Sequence, residues 1–259
     1  LTNKYNFRFA FTPGWAGIMN MEADRFFGEI APPDLPLVRF YTWDRPTISL
    51  GYNQNPVKRI DLESCRRDGI PVVQRPTGGR ELLHGHDLCY SLAMPQKSLT
   101  NGVEAKRIFA SVSDILIRAL GRMGVEAEWK NLDKRPKARY GPCFTQVDAG
   151  EITVGEKKLV ASAQRIFELC VIQQGSIPLI GPTVDLTNYL RQGNKESLRL
   201  TLDSTTAFLS QHVERKHTID SVVGIFREAF VEGYSSQAGP ADELFRVFDG
   251  NKCRALWYY

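Results

Sequence analysis

Between residues 103 and 123 the apolar positions recur at helical spacing. Ile108, Phe109, Val112, Ile115, Leu116, Ala119, Leu120 and Met123 fall on one face, and Gly124 stands just past the end. This spacing predicts an amphipathic helix packed on a sheet. Residues 221–234 repeat it, with Val222, Val223, Ile225, Phe226, Ala229 and Phe230 as the inner side. A further helix is expected over 16–30, and a short one over 59–67, stopped by Asp68-Gly69. Strand-like runs occupy 37–42, 47–52, 72–75, 88–93, 151–154, 159–166 and 170–174. Strands at irregular intervals with few helices between them point to an α+β fold, a mixed β-sheet flanked by helices, rather than a doubly wound parallel sheet. After residue 183 the strand signal fades. The expected organisation is one catalytic domain over 1–259, with 183–259 as its mostly helical C-terminal part.

Composition narrows the class. A chain of 259 residues with 42% hydrophobic content buries a substantial core. Its net charge of +4 is small and interspersed, which argues against nucleic acid as a partner. The five cysteines, at 65, 89, 143, 170 and 253, form no CxxC pair. An odd, scattered set reads as free thiols in a reducing compartment, so a cytoplasmic location is expected. The first residues carry no apolar targeting stretch, and no run is long enough to span a bilayer, so no membrane role is expected.

Three segments carry candidate chemistry. The first, Gln74-Arg75-Pro76-Thr77-Gly78-Gly79-Arg80, ends an extended run in a Gly-Gly turn, where backbone amides can approach a ligand closely. The second, Gly141-Pro142-Cys143-Phe144, puts a thiol in a turn. On its own, Cys143 is either a small core residue or a nucleophile. The third, Lys157-Lys158-Leu159-Val160, places two lysines on a strand. Alternation sends Lys157 to solvent and Lys158 inward. His84 is either a structural histidine or an acid–base group. It forms an H-x-H pair with His86, but no Cys or carboxylate set at zinc-like spacing accompanies it, so no metal is expected.

Arg75-Pro76-Thr77-Gly78-Gly79-Arg80, then His84, then Asp87-Leu88-Cys89-Tyr90-Ser91, resembles the signature of the lipoate and biotin protein ligase superfamily. The match is nearest to its LipM-type octanoyltransferases. It continues through Cys143-Phe144, Gly155, Lys157-Lys158, Ser162-Ala163-Gln164 and Gln174-Gly175-Ser176-Ile177, covering roughly residues 49–179. The resemblance implies a mixed-sheet fold in which the Gly-Gly loop and the lysine strand wrap an elongated acyl pocket. It also implies a reaction without nucleotide or other cofactor. An octanoyl group on acyl carrier protein passes to Cys143, then to a lysine of a lipoyl domain or of glycine-cleavage H protein. By the same resemblance Cys143 and Lys158 are catalytic. Arg75, Thr77, Gly78, Gly79, Arg80, His84, Ser162 and Ala163 line the substrate pocket.

One departure touches that pocket: the family has Gly-Ser-Ala after the lysine, whereas this chain has Ala161-Ser162-Ala163. Two rival readings keep the same pocket. One is an ATP-dependent lipoate ligase using Lys158, and the other a non-catalytic binder of acyl or lipoyl domains. The stretch at Glu151 lacks the ligases' Arg-Asn-Asp-like triplet, and a ligase leaves the cysteine without a duty. The basic run Lys130, Lys134, Arg135, Lys137 and Arg139 is either a solvated loop or a landing site for acidic carrier and lipoyl domains.

Overall fold

The computed structural model describes residues 6–96, 104–130, 141–147, 150–234 and 238–240. Strand β1 (Phe7–Trp15) leads into α1 (Gly17–Arg25), which loosens into a π-helical turn at Phe26–Ile30. The chain returns as β2 (Leu37–Trp43), parallel to β1, as a helical crossover allows. After β3 (Thr47–Leu50) come two short helices, α2 (Pro56–Arg59) and α3 (Leu62–Arg67). Then follow β4 (Val72–Gln74), β5 (Leu82–His84), β6 (Asp87–Pro95) and the long α4 (Glu104–Gly121). Strands β7 (Glu128–Trp129), β8 (Ile152–Val154), β9 (Lys157–Ile166) and β10 (Cys170–Pro178) precede α5 (Lys195–Thr205), α6 (Ile219–Gly233) and β11 (Ala238–Pro240).

Among the described residues, eight strands form one sheet in the order β11-β1-β2-β6-β10-β9-β8-β7, and three form a second, β4-β3-β5. Both are mixed: β1 is parallel to β2 and β11, β3 is parallel to β4, and the other pairs are antiparallel. The expected α+β class is the one observed. The single helix expected over 59–67 is instead two. Asn55 caps α2 by accepting from the Lys58 amide (3.1 Å), and Ile60 then turns extended and pairs with Leu190. Asp61 starts α3 afresh by accepting from the Ser64 amide (3.3 Å). An aspartate side chain competes with the backbone for that donor and so favours a cap over a helix interior.

The main core lies between the large sheet and the pair α4 and α6. Val112, Ile115, Leu116, Ala119 and Leu120 of α4 are fully buried there with Phe226 and Phe230 of α6. Phe40 of β2 stacks on Phe226 with centroids 5.2 Å apart. Each large side chain so buried contributes about 1.5–3 kcal/mol.

Arg39, with no exposed surface, is held by Asp24 at 3.2 Å, Thr12 at 2.9 Å and the Asn20 amide oxygen, and lies over the Tyr41 ring. Asp24 also accepts from Ser91 and Gln174, both at 2.7 Å. Burial pushes the Asp24 carboxyl up, and Arg39 with these hydrogen bonds only partly offsets it. Removing one partner of such a pair costs about 3–5 kcal/mol, because the other charge stays buried. The network also reaches the Gly-Gly turn, since Gln174 accepts from the Thr77 hydroxyl at 2.6 Å.

Candidate active site

Residues 75–81 link β4 to β5 across the Gly-Gly turn. Gly79 has φ +101°, a left-handed conformation that side chains disfavour. Gly51 lies so close beneath it that a Cβ there would sit 2.1 Å from the Gly79 carbonyl oxygen. Arg75 is the turn's internal staple: it donates to the Ser49 carbonyl (3.0 Å), the Ser49 hydroxyl (2.5 Å), and the carbonyls of Gly78 (3.2 Å) and Arg80 (2.8 Å). Burial lowers its affinity for a proton, and a negative charge on Cys143 is the largest influence opposing that.

Behind Arg75 a buried chain runs from Ser49 to His84 Nε2 (2.6 Å) and from His84 Nδ1 to Asp87 (2.6 Å), with the His84 ring stacked on Trp43 at 4.1 Å. The order Ser-His-Asp is that of a hydrolytic triad, but Ser49 has no exposed surface and its oxygen is already taken by Arg75. The chain therefore braces the turn. Burial alone would raise the Asp87 carboxyl. The charge of His84 and hydrogen bonds from His84, Ser176 and Cys89 outweigh it and hold the group at about 2. His84, Asp87 and Cys89 are also close enough to be weighed as metal ligands. Their mutual contacts of 2.6 and 3.1 Å are hydrogen bonds to one Asp87 oxygen. His86 is turned elsewhere, toward Thr183 at 3.0 Å.

Gly141 (φ +80°) and Pro142 open a short 3-10 turn, Cys143–Thr145. Cys143 is gripped by its backbone. Its amide donates to the Glu81 carbonyl (3.0 Å), and its carbonyl accepts from Lys158 Nζ (2.6 Å) and Arg80 (3.3 Å). Arg80 also donates to the Gly141 carbonyl at 3.3 Å, and Thr205 of α5 to the Phe144 carbonyl at 2.6 Å. Glu81 is buried against Arg59 and Gln54, which fixes the far side of the grip. The expected alternation on β9 holds, with Lys157 exposed and Lys158 wholly buried. The Lys158 ammonium pairs with Glu151 at 2.7 Å and lies 5.3 Å from the centre of the Phe144 ring.

These elements enclose a cavity of about 460 Å³. Arg75, Thr77, Gly78, Gly79, Arg80, His84, Cys143, Ser162 and Ala163 all stand on its wall, so the structure brings together every anticipated residue except one. Lys158 is not on that wall, but Glu151, with which it pairs, is. Ala161 also lines the cavity. A second, more apolar cavity of about 510 Å³, bounded by Pro142, Phe144 and α5 residues such as Leu202, adjoins the first through Leu82 and Ser176.

Glu151, through Lys158, and Asp24, through Gln174, have structural links to the site that sequence reasoning missed, because both stand among other polar residues and no local pattern singles them out. Among the described cysteines, Cys65, Cys89 and Cys170 are buried and Cys143 is not. Burial pushes the Cys65 and Cys170 thiols up to about 12. Of the basic run, Lys130 pairs with Glu128 at 2.8 Å, while Lys134, Arg135, Lys137 and Arg139 lie outside the described residues.

The chain belongs to the lipoyl protein ligase A/B catalytic domain family, whose model matches residues 18–231. It is 28% identical over 216 residues to the octanoyltransferase LipM of Lysinibacillus sphaericus, covering 79% of this chain and 78% of that one. It is 31% identical over 234 residues to the octanoyltransferase LipM of Anoxybacillus flavithermus, covering 82% and 81%. In fold it resembles the bipartite lipoate protein ligase of Thermoplasma acidophilum, with a TM-score of 0.75 at 17% identity, over 96% of this chain and 93% of that one.

Proposed function

We propose that this enzyme is an octanoyltransferase of lipoate biosynthesis that works through a thioester on Cys143. The donor is octanoyl-acyl carrier protein, and the acceptor is a lysine of a lipoyl domain or of glycine-cleavage H protein. The observation that carries this reading is the placement of Cys143: it is the one described cysteine that is not buried, on a cavity wall, in a turn held by two cations.

The sulfur attacks the octanoyl thioester carbonyl, the carrier's thiol leaves, and the acyl group moves on to the lysine nitrogen. A thioester passed to an amide runs downhill, so no nucleotide is needed. The thiolate is the reactive form. Lys158 and Arg80 hold the Cys143 carbonyl, so Lys158 acts by fixing the turn that presents the sulfur to the cavity. Amides around Gly78-Gly79 or Ser162-Ala163 are the candidate oxyanion donors, each worth about 3 kcal/mol when well placed.

The test mixes the protein with octanoyl-acyl carrier protein and an apo lipoyl domain, without ATP. Octanoyl-lysine forms, the intact enzyme carries an octanoyl adduct on the Cys143 peptide, and Cys143→Ser abolishes both. A requirement for ATP and free lipoate, with Cys143→Ser still active, would identify a ligase. No product under either condition would identify a binder.

A further inference from the structure

Two walls of the first cavity come from different sheets. One is the Gly-Gly turn, which hangs from β4 and β5 of the small sheet, and another is residues 161–164 of β9 in the large one. Packing does little to fix the tip of the turn: Gly79 is exposed, and a Cβ at Gly78 would meet nothing within 4 Å. Hydrogen bonds reach across instead. Thr77 donates to Gln174 of β10 at 2.6 Å. Arg165 of β9, which is not on the cavity wall, donates to the Pro76 carbonyl at 3.0 Å.

The Arg165 guanidinium lies over the Tyr52 ring at 3.6 Å and over the Phe167 ring at 4.5 Å. Phe167 is buried beside Gly28, just past the end of β9. Tyr52 belongs to the side of the turn: its amide donates to the Thr77 carbonyl at 2.8 Å, and its carbonyl accepts from Gln74 at 2.8 Å. A planar guanidinium can stack on a ring and donate from its edge at once, so this one side chain joins the turn, Tyr52 and the end of β9.

We infer that Arg165 is a positioning residue that sets selectivity for acyl chain length: by clamping the Gly-Gly turn to β9 it keeps the cavity narrow enough to grip a medium-length chain. This rests on the octanoyl-thioester reading above, with the acyl group in this cavity. Arg165 acts only through the turn. Without the clamp the turn lifts, water enters beside the chain, and the methylenes far from the sulfur lose their contacts. A short acyl group reaches little beyond the sulfur and is insensitive to that change.

The test loads Cys143 from octanoyl- and butyryl-acyl carrier protein in competition, which reads the ratio of the two kcat/KM values from the mass of the intact enzyme. Arg165→Met keeps the apolar stem and removes the guanidinium. It is expected to lower the octanoyl-to-butyryl ratio on the order of tenfold, about what a pocket gains by gripping one methylene. Tyr52→Ala is expected to lower the ratio similarly, and Tyr52→Phe, which keeps the ring, to preserve it. The double variant Tyr52→Ala, Arg165→Met is expected to be no worse than either single one, because the two side chains act as a unit.

Equal losses with both donors would mark a general loss of order in the turn and overturn the inference. An unchanged ratio in Arg165→Met or in Tyr52→Ala would overturn it too. Should Arg165→Met fail to fold, Tyr52→Ala against Tyr52→Phe decides alone. Failure of wild-type Cys143 to take up octanoyl is a different result, one that removes the thioester reading and the clamp's role with it.

Discussion

At the scale of single residues, the site is held by charges that water does not reach. Asp87 is the clearest case, since its carboxyl is held at about 2 in the folded protein, against 3.8 for an ordinary aspartate. A carboxyl whose folded value is depressed stabilises the fold fully above the unfolded value, and that contribution is lost as pH falls toward the folded value. Between about pH 4 and pH 2 the fold therefore loses about 2 kcal/mol through Asp87. Urea unfolding of wild type and Asp87→Asn at several pH values checks this. The difference between the two is expected to be largest above pH 4 and to shrink below it, and a constant difference would contradict the assignment.

At this scale the sequence was informative about which residues matter and silent about what each one touches. The inward turn of Lys158 follows from strand alternation, but its bond to the backbone of Cys143 does not, because the two residues are joined only by tertiary folding. Likewise the resemblance puts Arg75 and Arg80 on the pocket wall, but it does not show that they give most of their donors to backbone carbonyls.

Among the elements, the Gly-Gly turn makes the sharpest claim on sequence. The two glycines are not equivalent. A Cβ at Gly78 meets nothing within 4 Å, whereas Gly79 needs its positive φ and Gly51 has the Gly79 carbonyl at 2.1 Å. Gly78→Ala is expected to change stability by no more than about 0.5 kcal/mol. Gly79→Ala is expected to cost about 1–2 kcal/mol, and Gly51→Ala on the order of 3 kcal/mol with loss of transfer activity. Denaturant midpoints for the three variants give the ranking. Element recognition was best where periodicity was long, as in α4 and α6. Helix α5 escaped because Leu198, Leu200 and Leu202 alternate at the period of a strand, and none of its residues is buried enough to impose a helical stripe. Strand β5 escaped because three residues after a turn carry too little pattern to read.

For the whole molecule, the proposed reaction requires two protein substrates to reach Cys143. No described helix is long and apolar enough to cross a membrane. Lys130 is already paired with Glu128 and Glu156, so its charge is partly neutralised. Lys134, Arg135, Lys137 and Arg139 are the remaining candidates for guiding acidic carrier and lipoyl domains. Replacing the first three with alanine is expected to slow transfer about tenfold at low ionic strength and to flatten its dependence on salt. An unchanged rate across a salt series would discard the docking role.

The eight-stranded sheet ends where β11, residues 238–240, lies alongside Phe7, Arg8 and Phe9 at the start of the chain. Helix α6 brings Phe226 and Phe230 against Phe40 and Phe7 just before it. During synthesis β1 thus keeps one flank open and Phe7 uncovered until α6 and β11, about two hundred residues later, have been made, and a stop codon shortly before α6 would leave β1 without its cover.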